Sequence, residues 1–137
     1  MNVKSAFLNE ILSEEVNVEQ PKGFKGLKLL NHVYKLKKAL YGLKQTPRAW
    51  YERLTTYLLK KNLRVEVDRT LFIHKTKIKL LVVEIYVDDI IFGANSSDLA
   101  LSFAKEVNKE FEMSMASELR FFLGLHIRQF KNGIFLY

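Results

Sequence analysis

The segment from Leu80 to Ala94 constrains the fold of this chain most strongly. It reads LLVVEIYVDDIIFGA, with apolar runs rich in β-branched residues on both sides of Asp88 and Asp89. Apolar runs of this length are typical of buried strands. The segment therefore predicts a buried hairpin that carries two adjacent carboxylates at or next to its turn.

Two carboxylates at the tip of a buried hairpin need compensation, because a buried charge without a partner is strongly destabilising. Mg²⁺ would supply it, since this ion prefers carboxylate and water oxygens together with the phosphates of a substrate. The alternative is a surface turn in which both aspartates are solvated. The tetrapeptide Tyr86–Asp89 is too short to decide between the two by itself.

Hydrophobic periodicity predicts two helices. The first runs from Pro47 to about Asn62, with Thr46 as its N-cap and Pro47 at the first helical position. The second runs from about Asp98 to Glu112 and is capped by Ser97. The first helix gathers four large side chains on one face: Trp50, Leu54, Tyr57 and Leu58.

Further strands surround these helices. The 137 residues suffice for one domain, so we expect a single domain over residues 1–137. Strands interrupted by two helices indicate an α+β or α/β fold with the helices on one face of a sheet. The predicted strands are Val3–Leu8, Glu15–Glu19, His32–Lys37, Thr70–Ile73, Phe121–Gln129 and Ile134–Tyr137, with a loop over Pro21–Gly26 and a hairpin turn over Lys131–Gly133.

Charge is unevenly distributed along the chain. The total is +7, but Lys22–Lys79 carries a net charge of +13 and Leu81–Tyr137 a net charge of −3. A basic stretch followed by an acidic one fits a protein that binds a phosphate backbone and has a separate carboxylate site. The alternative is a solvated, lysine-rich face.

Several classes of protein are excluded or disfavoured. The chain has no cysteine, which excludes disulfides, thiolate nucleophiles and cysteine metal sites. We recognise no signal peptide and no apolar run long enough to cross a membrane. We therefore expect an intracellular protein, cytoplasmic or nuclear, with no membrane partner.

Six segments, spread over nearly the whole chain, form an ordered set of motifs. They are VKSAFLN (3–9), EQPKGF (19–24), KLKKALYGLKQTPRAWY (35–51), DRTLF (68–72), YVDDIIFG (86–93) and ELRFFLGL (118–125). Together they resemble the reverse transcriptase of copia-type LTR retrotransposons. The LYGLKQ-x-PRAWY motif is highly specific to that family, and YVDD is its polymerase signature.

The resemblance implies a right-hand polymerase: a palm of antiparallel sheet with helices on one face, together with part of the fingers and without the thumb. The family copies RNA into DNA on a template–primer with dNTP substrates. It uses two Mg²⁺ ions, or Mn²⁺, held by three aspartates. Asp88 and Asp89 match two of these catalytic, metal-binding aspartates, and Tyr86 matches a position beside the primer end.

The resemblance also suggests a nucleotide pocket. Phe7 matches an aromatic residue that blocks the 2′-OH of a nucleotide. Four positions match the segment that shapes the nucleotide and template pocket: Tyr41, Gly42, Lys44 and Pro47. The alternatives are that Phe7 and Tyr41 are core aromatics and that Pro47 only starts a helix.

Asn2 departs from the family pattern, which has the third catalytic aspartate at this position. An amide is neutral and ligates Mg²⁺ poorly, so we expect no measurable polymerase activity. We expect Asn2 to lie beside the hairpin and to face only one of the two aspartates, since successive strand residues point to opposite faces. The resemblance implies that this residue is Asp88, because the second aspartate of the family's pair is usually the more peripheral ligand. Glu10 is a second departure, because the family usually has glycine there.

Three functions remain open. The first is a polymerase fragment, active or formerly active. The second is a non-catalytic module that binds nucleic acid, and the third is a transposon relic without function. Met1 coincides with the methionine that precedes the missing aspartate, and Tyr137 ends inside a strand-like run. We therefore expect a truncated, decayed fragment that lacks the thumb and the RNase H part of the polyprotein.

Overall fold

A computed structural model describes residues 1–8, 10–25, 29, 31–114 and 117–137. It has mixed secondary structure, and the strand pairs within its sheets are antiparallel. This confirms the coarse expectation of antiparallel sheets and two helices. The elements are β1 (Ile11–Val18), β2 (Tyr34–Lys38), α1 (Thr46–Lys60), β3 (Arg64–Val65), β4 (Leu71–Lys75), β5 (Leu80–Tyr86), β6 (Asp89–Ala94), α2 (Ser97–Glu110), β7 (Phe121–Phe122), β8 (Leu125–Phe130) and β9 (Gly133–Leu136).

The chain forms two compact units. We call Ser5–Val65 the α1 unit, and Met1–Lys4 together with Glu66–Tyr137 the aspartate unit. Each unit has its own set of buried apolar side chains. Four residues of α1 are buried at helical spacing: Thr46, Trp50, Leu54 and Leu58.

The start of α1 differs from the prediction. Thr46 is the first helical residue, and Gln45 is the N-cap without a side-chain hydrogen bond. The Thr46 hydroxyl instead donates to the Leu40 carbonyl oxygen at 2.8 Å. Thr46 is not the predicted cap because it is already helical, and its bond to Leu40 ties the preceding loop to the helix.

An ion pair with a buried carboxylate joins the residue before β1 to α1. The Glu10 side chain accepts a hydrogen bond from Nη1 of Arg53 at 2.8 Å, and Glu10 is only 5% exposed. A buried carboxylate requires such a partner. The arginine on α1 therefore explains how this chain accommodates an acid where the resembled family usually has glycine.

The hairpin predicted over Leu80–Ala94 is confirmed as β5 and β6. Leu81, Val83 and Ile85 alternate along one face of β5 and are buried, so the two-residue period of a strand determines which face packs. β4 pairs with the other edge of β5. Helix α2 packs on this sheet, with the Phe103 ring 5.1 Å from the Phe92 ring on β6.

Two predictions in the aspartate unit were wrong in detail. The N-cap of α2 is Ser96, whose side chain accepts from the Leu99 N–H, rather than Ser97. The strand predicted over Phe121–Gln129 is broken at Leu123 and Gly124, which have φ of +50° and +81°. Two successive positive φ angles make the tight two-residue turn of a hairpin, here between β7 and β8.

The strand predicted over Val3–Leu8 was also wrong. Asn2 and Val3 form bridges, but residues 4–8 are turns. Ser5 has φ of +54°, a left-handed conformation that interrupts an extended chain. The turn between β8 and β9 is confirmed, with Phe130 opposite Gly133. Residues 21–25 form the predicted loop, and Gly26 lies outside the described residues.

Candidate active site at the aspartate turn

The two aspartates lie at a two-residue turn between β5 and β6. Tyr86 ends β5, Asp89 begins β6, and these two residues pair across the hairpin. Val87 and Asp88 form the turn itself. Val87 has φ of +56°, which is rare for a β-branched residue, and its side chain is 56% exposed. Strain of this kind persists only where surrounding contacts fix the backbone, and it clusters at functional sites.

Residues 1–3 run alongside this turn as a short extended segment. The Val3 N–H donates to the Asp88 carbonyl oxygen at 3.0 Å, and the Ile90 N–H donates to the Met1 carbonyl oxygen at 2.8 Å. Asn2 lies directly opposite Asp89 in an antiparallel bridge. The backbone of residues 1–3 therefore sets the distance between position 2 and the aspartates.

The other edge of this segment is also hydrogen-bonded. The Asn2 N–H donates to Oγ of Ser114 at 2.9 Å, and the Ser114 N–H donates to the Asn2 carbonyl oxygen at 2.9 Å. The Lys4 N–H donates to the Glu112 carbonyl oxygen at 2.8 Å. Asn2 is thus held from both sides, between the aspartate turn and the segment that follows α2.

The side chain of Asn2 contacts Asp89. Its Nδ2 donates a hydrogen bond to Oδ1 of Asp89 at 3.1 Å. The expectation that Asp88 faces Asn2 was therefore wrong. Asp88 lies within the turn, whereas Asp89 is the cross-strand partner of Asn2, and directly opposed residues place their side chains on the same face.

The donor atoms at the turn do not fit a site for two Mg²⁺ ions. Within the described ranges, no group of three His, Cys, Asp or Glu side chains is placed to hold a metal. Asp88 and Asp89 are half-buried carboxylates, and Asn2 presents its N–H rather than its oxygen to Asp89. Mg²⁺ requires oxygen ligands in near-octahedral geometry, and an N–H donor aimed at a carboxylate takes the place of such an ion.

Tyr86 is oriented by a residue that the sequence pattern does not reveal. Its ring is 46% exposed and packs edge-to-face on Phe122 of β7, with 5.7 Å between the ring centroids. Phe122 lies in a short apolar run whose pairing could not be read from periodicity. The hairpin of β7 and β8 thus supports the side chain that precedes the aspartate turn.

A second group of predicted residues lies in the α1 unit. The rings of Phe7 and Tyr41 meet edge-to-face with 5.7 Å between centroids. Tyr41 is 79% exposed, so it is not a core aromatic. Gly42 follows it with φ of +89°, a conformation that favours glycine. Lys44 and Pro47 are exposed, and Pro47 is the second residue of α1.

Comparisons with known proteins agree with these motifs. The family model described as "Reverse transcriptase (RNA-dependent DNA polymerase)" matches residues 1–137. The chain belongs to the reverse transcriptase family. Its relatives in this family include retrotransposon Pol polyproteins, which confirms the resemblance to copia-type elements.

Three relatives illustrate the similarity. The Pol polyprotein from transposon RE1 of Arabidopsis thaliana is 36% identical over 99% of this chain and 9% of its own length. A putative transposon Ty5-1 protein of Saccharomyces cerevisiae is 34% identical over 97% of this chain and 44% of its own length. The Pol polyprotein from transposon TNT 1-94 of Nicotiana tabacum is 31% identical over 93% of this chain and 10% of its own length.

This reverse transcriptase chain therefore spans less than half the length of each of these relatives. No solved structure gives a significant match. Neither helix among the described residues is long and apolar enough to cross a membrane.

The strain at Val87 leads to a stability prediction. Glycine adopts a positive φ without a steric penalty, whereas a Cβ in this conformation costs about 1–2 kcal/mol, partly offset by the greater flexibility of unfolded glycine. We expect the free energy of unfolding of Val87→Gly to exceed that of Val87→Ala by about 0.5–1 kcal/mol in urea denaturation.

Val67 provides a matched control. Like Val87 it is an exposed valine outside the strands of the aspartate unit, but it is not among the described residues with positive φ. At this position the alanine variant should be more stable than the glycine variant. The same order at both positions would contradict the assignment of strain to Val87.

Proposed function

We propose that this chain is the palm, with part of the fingers, of a copia-type retrotransposon reverse transcriptase that no longer catalyses nucleotidyl transfer. The antiparallel sheet of β4–β6, with α2 packed on it, supports the assignment of the aspartate unit to the palm. The single observation that carries the loss of catalysis is the hydrogen bond from Asn2 to Asp89. Position 2 holds an amide where the resembled family has its third catalytic aspartate.

The remaining site residues keep the roles that the family suggests. Asp88 and Asp89 are the two retained catalytic carboxylates, and Tyr86 borders the primer end. In the α1 unit, the contact between Phe7 and Tyr41 supports a nucleotide pocket, because it places an exposed aromatic ring beside the Gly42 turn. Lys44 and Pro47 extend this surface toward a template, and their exposure is compatible with that role.

The loss of one carboxylate is large enough to abolish detectable activity. Removal of a single electrostatic partner at a reacting centre typically lowers the rate by about 10²–10³-fold. In this chain the change also inserts a hydrogen-bond donor between position 2 and Asp89. The amide therefore removes an anionic ligand and at the same time engages an oxygen of a second one.

Primer extension tests this proposal. We expect the unmodified chain to extend an oligo(dT) primer on poly(rA) no faster than Asp88→Asn does, with either Mg²⁺ or Mn²⁺ present. The Asp88→Asn variant is the control because it removes a retained carboxylate with almost no change in volume. Extension by the unmodified chain that Asp88→Asn abolishes would show that the site is active.

A second candidate function is a non-catalytic module that binds nucleic acid. The loop between β4 and β5 favours it. This loop and the last residue of β4 present three exposed lysines: Lys75, Lys77 and Lys79. In the part of the chain that the structure describes, none of the three forms an ion pair. By contrast, other cations of the basic stretch form ion pairs within the chain. Lys35, for example, contacts Glu15 at 2.7 Å and lowers the pKa of that carboxyl.

Hydrogen bonds also hold the backbone of this loop in place. The Thr76 N–H donates to the Lys79 carbonyl oxygen at 2.8 Å, and Oγ1 of Thr76 accepts from the Lys79 N–H at 3.0 Å. Asn95 accepts from the Leu80 N–H at 3.0 Å and donates to the Ile78 carbonyl oxygen at 2.7 Å. Cations on a fixed backbone lose less entropy when they bind a phosphate backbone.

The salt dependence of template–primer binding tests this second function. Each duplex phosphate that a cation neutralises contributes about 0.9 to the slope of log affinity against log salt. Replacing Lys75, Lys77 and Lys79 with Gln should therefore reduce that slope by about 2–3.

The matched control replaces three exposed lysines outside the basic stretch, namely Lys105, Lys109 and Lys131. We expect this control to change the slope by less than about 1. Equal effects of the two triple variants would contradict a specific role for the loop. No binding at low salt would favour the relic without function.

A further inference from the structure

We propose that Asn2 closes the aspartate turn with a protein hydrogen bond, so that the stability of the turn does not depend on a divalent cation. The inference rests on the proposed function in one respect, the match of position 2 to the family's third aspartate. It goes further, because it assigns Asn2 a structural role in place of the lost catalytic one.

The backbone of residues 1–3 holds the exposed side chain of Asn2 beside Asp89. Its backbone is hydrogen-bonded on one side to Ser114, and its neighbours Met1 and Val3 are hydrogen-bonded to Ile90 and Asp88 on the other. Asp89 lies directly opposite in the bridge. The exposed side chain at position 2 therefore lies within reach of the Asp89 carboxylate, which the Asn2 amide contacts.

An aspartate at position 2 would create a conflict in the absence of a cation. The Asn2 amide nitrogen is 3.1 Å from Oδ1 of Asp89, so a second carboxylate there would bring two negative charges into close contact. Asp88, which immediately precedes Asp89 in the chain, would be the third carboxylate. Like charges at this spacing repel each other, and a cation bound between them offsets the repulsion.

The amide resolves this conflict without an ion. It donates an N–H to the charged oxygen, and hydrogen bonds to charged groups are stronger than those between neutral groups. The same contact helps to hold the strained Val87 turn, because strained backbone persists only where its surroundings fix it. Loss of a catalytic group commonly stabilises a protein in this way, since active sites are built at some cost in stability.

Urea denaturation of four chains tests the proposal, each with EDTA and with Mn²⁺. The unmodified chain should unfold at the same urea concentration in both conditions. Asn2→Asp should lower the folding equilibrium constant by about tenfold in EDTA, the low end of the loss expected for a hydrogen bond to a charged group. Mn²⁺ should recover most of that loss, because the variant has three carboxylates to share the ion.

The exchanged pair is the matched control. The double variant Asn2→Asp with Asp89→Asn exchanges the two side chains. Its amide at position 89 can donate a hydrogen bond to the carboxylate at position 2. This double variant should be about as stable as the unmodified chain in EDTA. The stability of Asp89→Asn alone should be lower than that of the double variant and higher than that of Asn2→Asp. The exchange keeps composition and net charge constant, so recovery reports the hydrogen bond itself.

Several results would overturn the proposal. One is an Asn2→Asp variant as stable as the unmodified chain in EDTA, and another is an unmodified chain that Mn²⁺ stabilises as much as it stabilises Asn2→Asp. If Asn2→Asp does not fold, failure of the exchanged pair to fold as well would also refute the idea. Primer extension by the unmodified chain, together with the expected denaturation results, would contradict only the proposed loss of catalysis.

Discussion

The hydrogen bond between Asn2 and Asp89 depends on a three-residue segment with backbone partners on both edges. Residues 1–3 lie between the aspartate turn on one side and Glu112–Ser114 on the other. Four backbone–backbone hydrogen bonds and two antiparallel bridges fix the backbone at position 2. The backbone therefore places position 2 beside Asp89, and the identity of the side chain there decides what it can offer to that carboxylate.

That constraint explains why a change from acid to amide has two consequences at once. It removes an anionic oxygen from the family's metal site, and it supplies a donor to a carboxylate that would otherwise face another negative charge. We propose that the first consequence removes catalysis and that the second stabilises the fold. In the aspartate unit the exposed Tyr86 ring packs on Phe122, and in the α1 unit Phe7 contacts Tyr41. The family motifs did not predict either contact.

Much of the local structure could be predicted from the sequence, because strong periodic patterns specify it. The apolar runs around Asp88 and Asp89 form the β5–β6 hairpin, and the stripe of Trp50, Leu54 and Leu58 is the buried face of α1. The position of Asn2 beside the hairpin followed from the resemblance. The pairing of Asn2 with Asp89 did not, because it depends on the register of two segments that are far apart in the chain.

Other structural features could not be predicted from the sequence, for physical reasons. A positive φ at Val87 or Leu123 is unexpected for apolar residues, and only the tight two-residue turns impose it. The Thr46 hydroxyl is an equally good donor and acceptor, so its bond to Leu40 rather than to the helix is decided by tertiary packing. The buried Glu10 is tolerated only because Arg53 reaches it from α1.

The most direct test of this account is a crystal structure of the unmodified chain grown with Mn²⁺, with the metal located by its anomalous scattering. The account predicts no manganese peak bound by Asp88 and Asp89, and an Asn2 Nδ2 that stays within hydrogen-bond distance of Asp89. A manganese ion ligated by both carboxylates, with the Asn2 amide turned to present its oxygen, would contradict it.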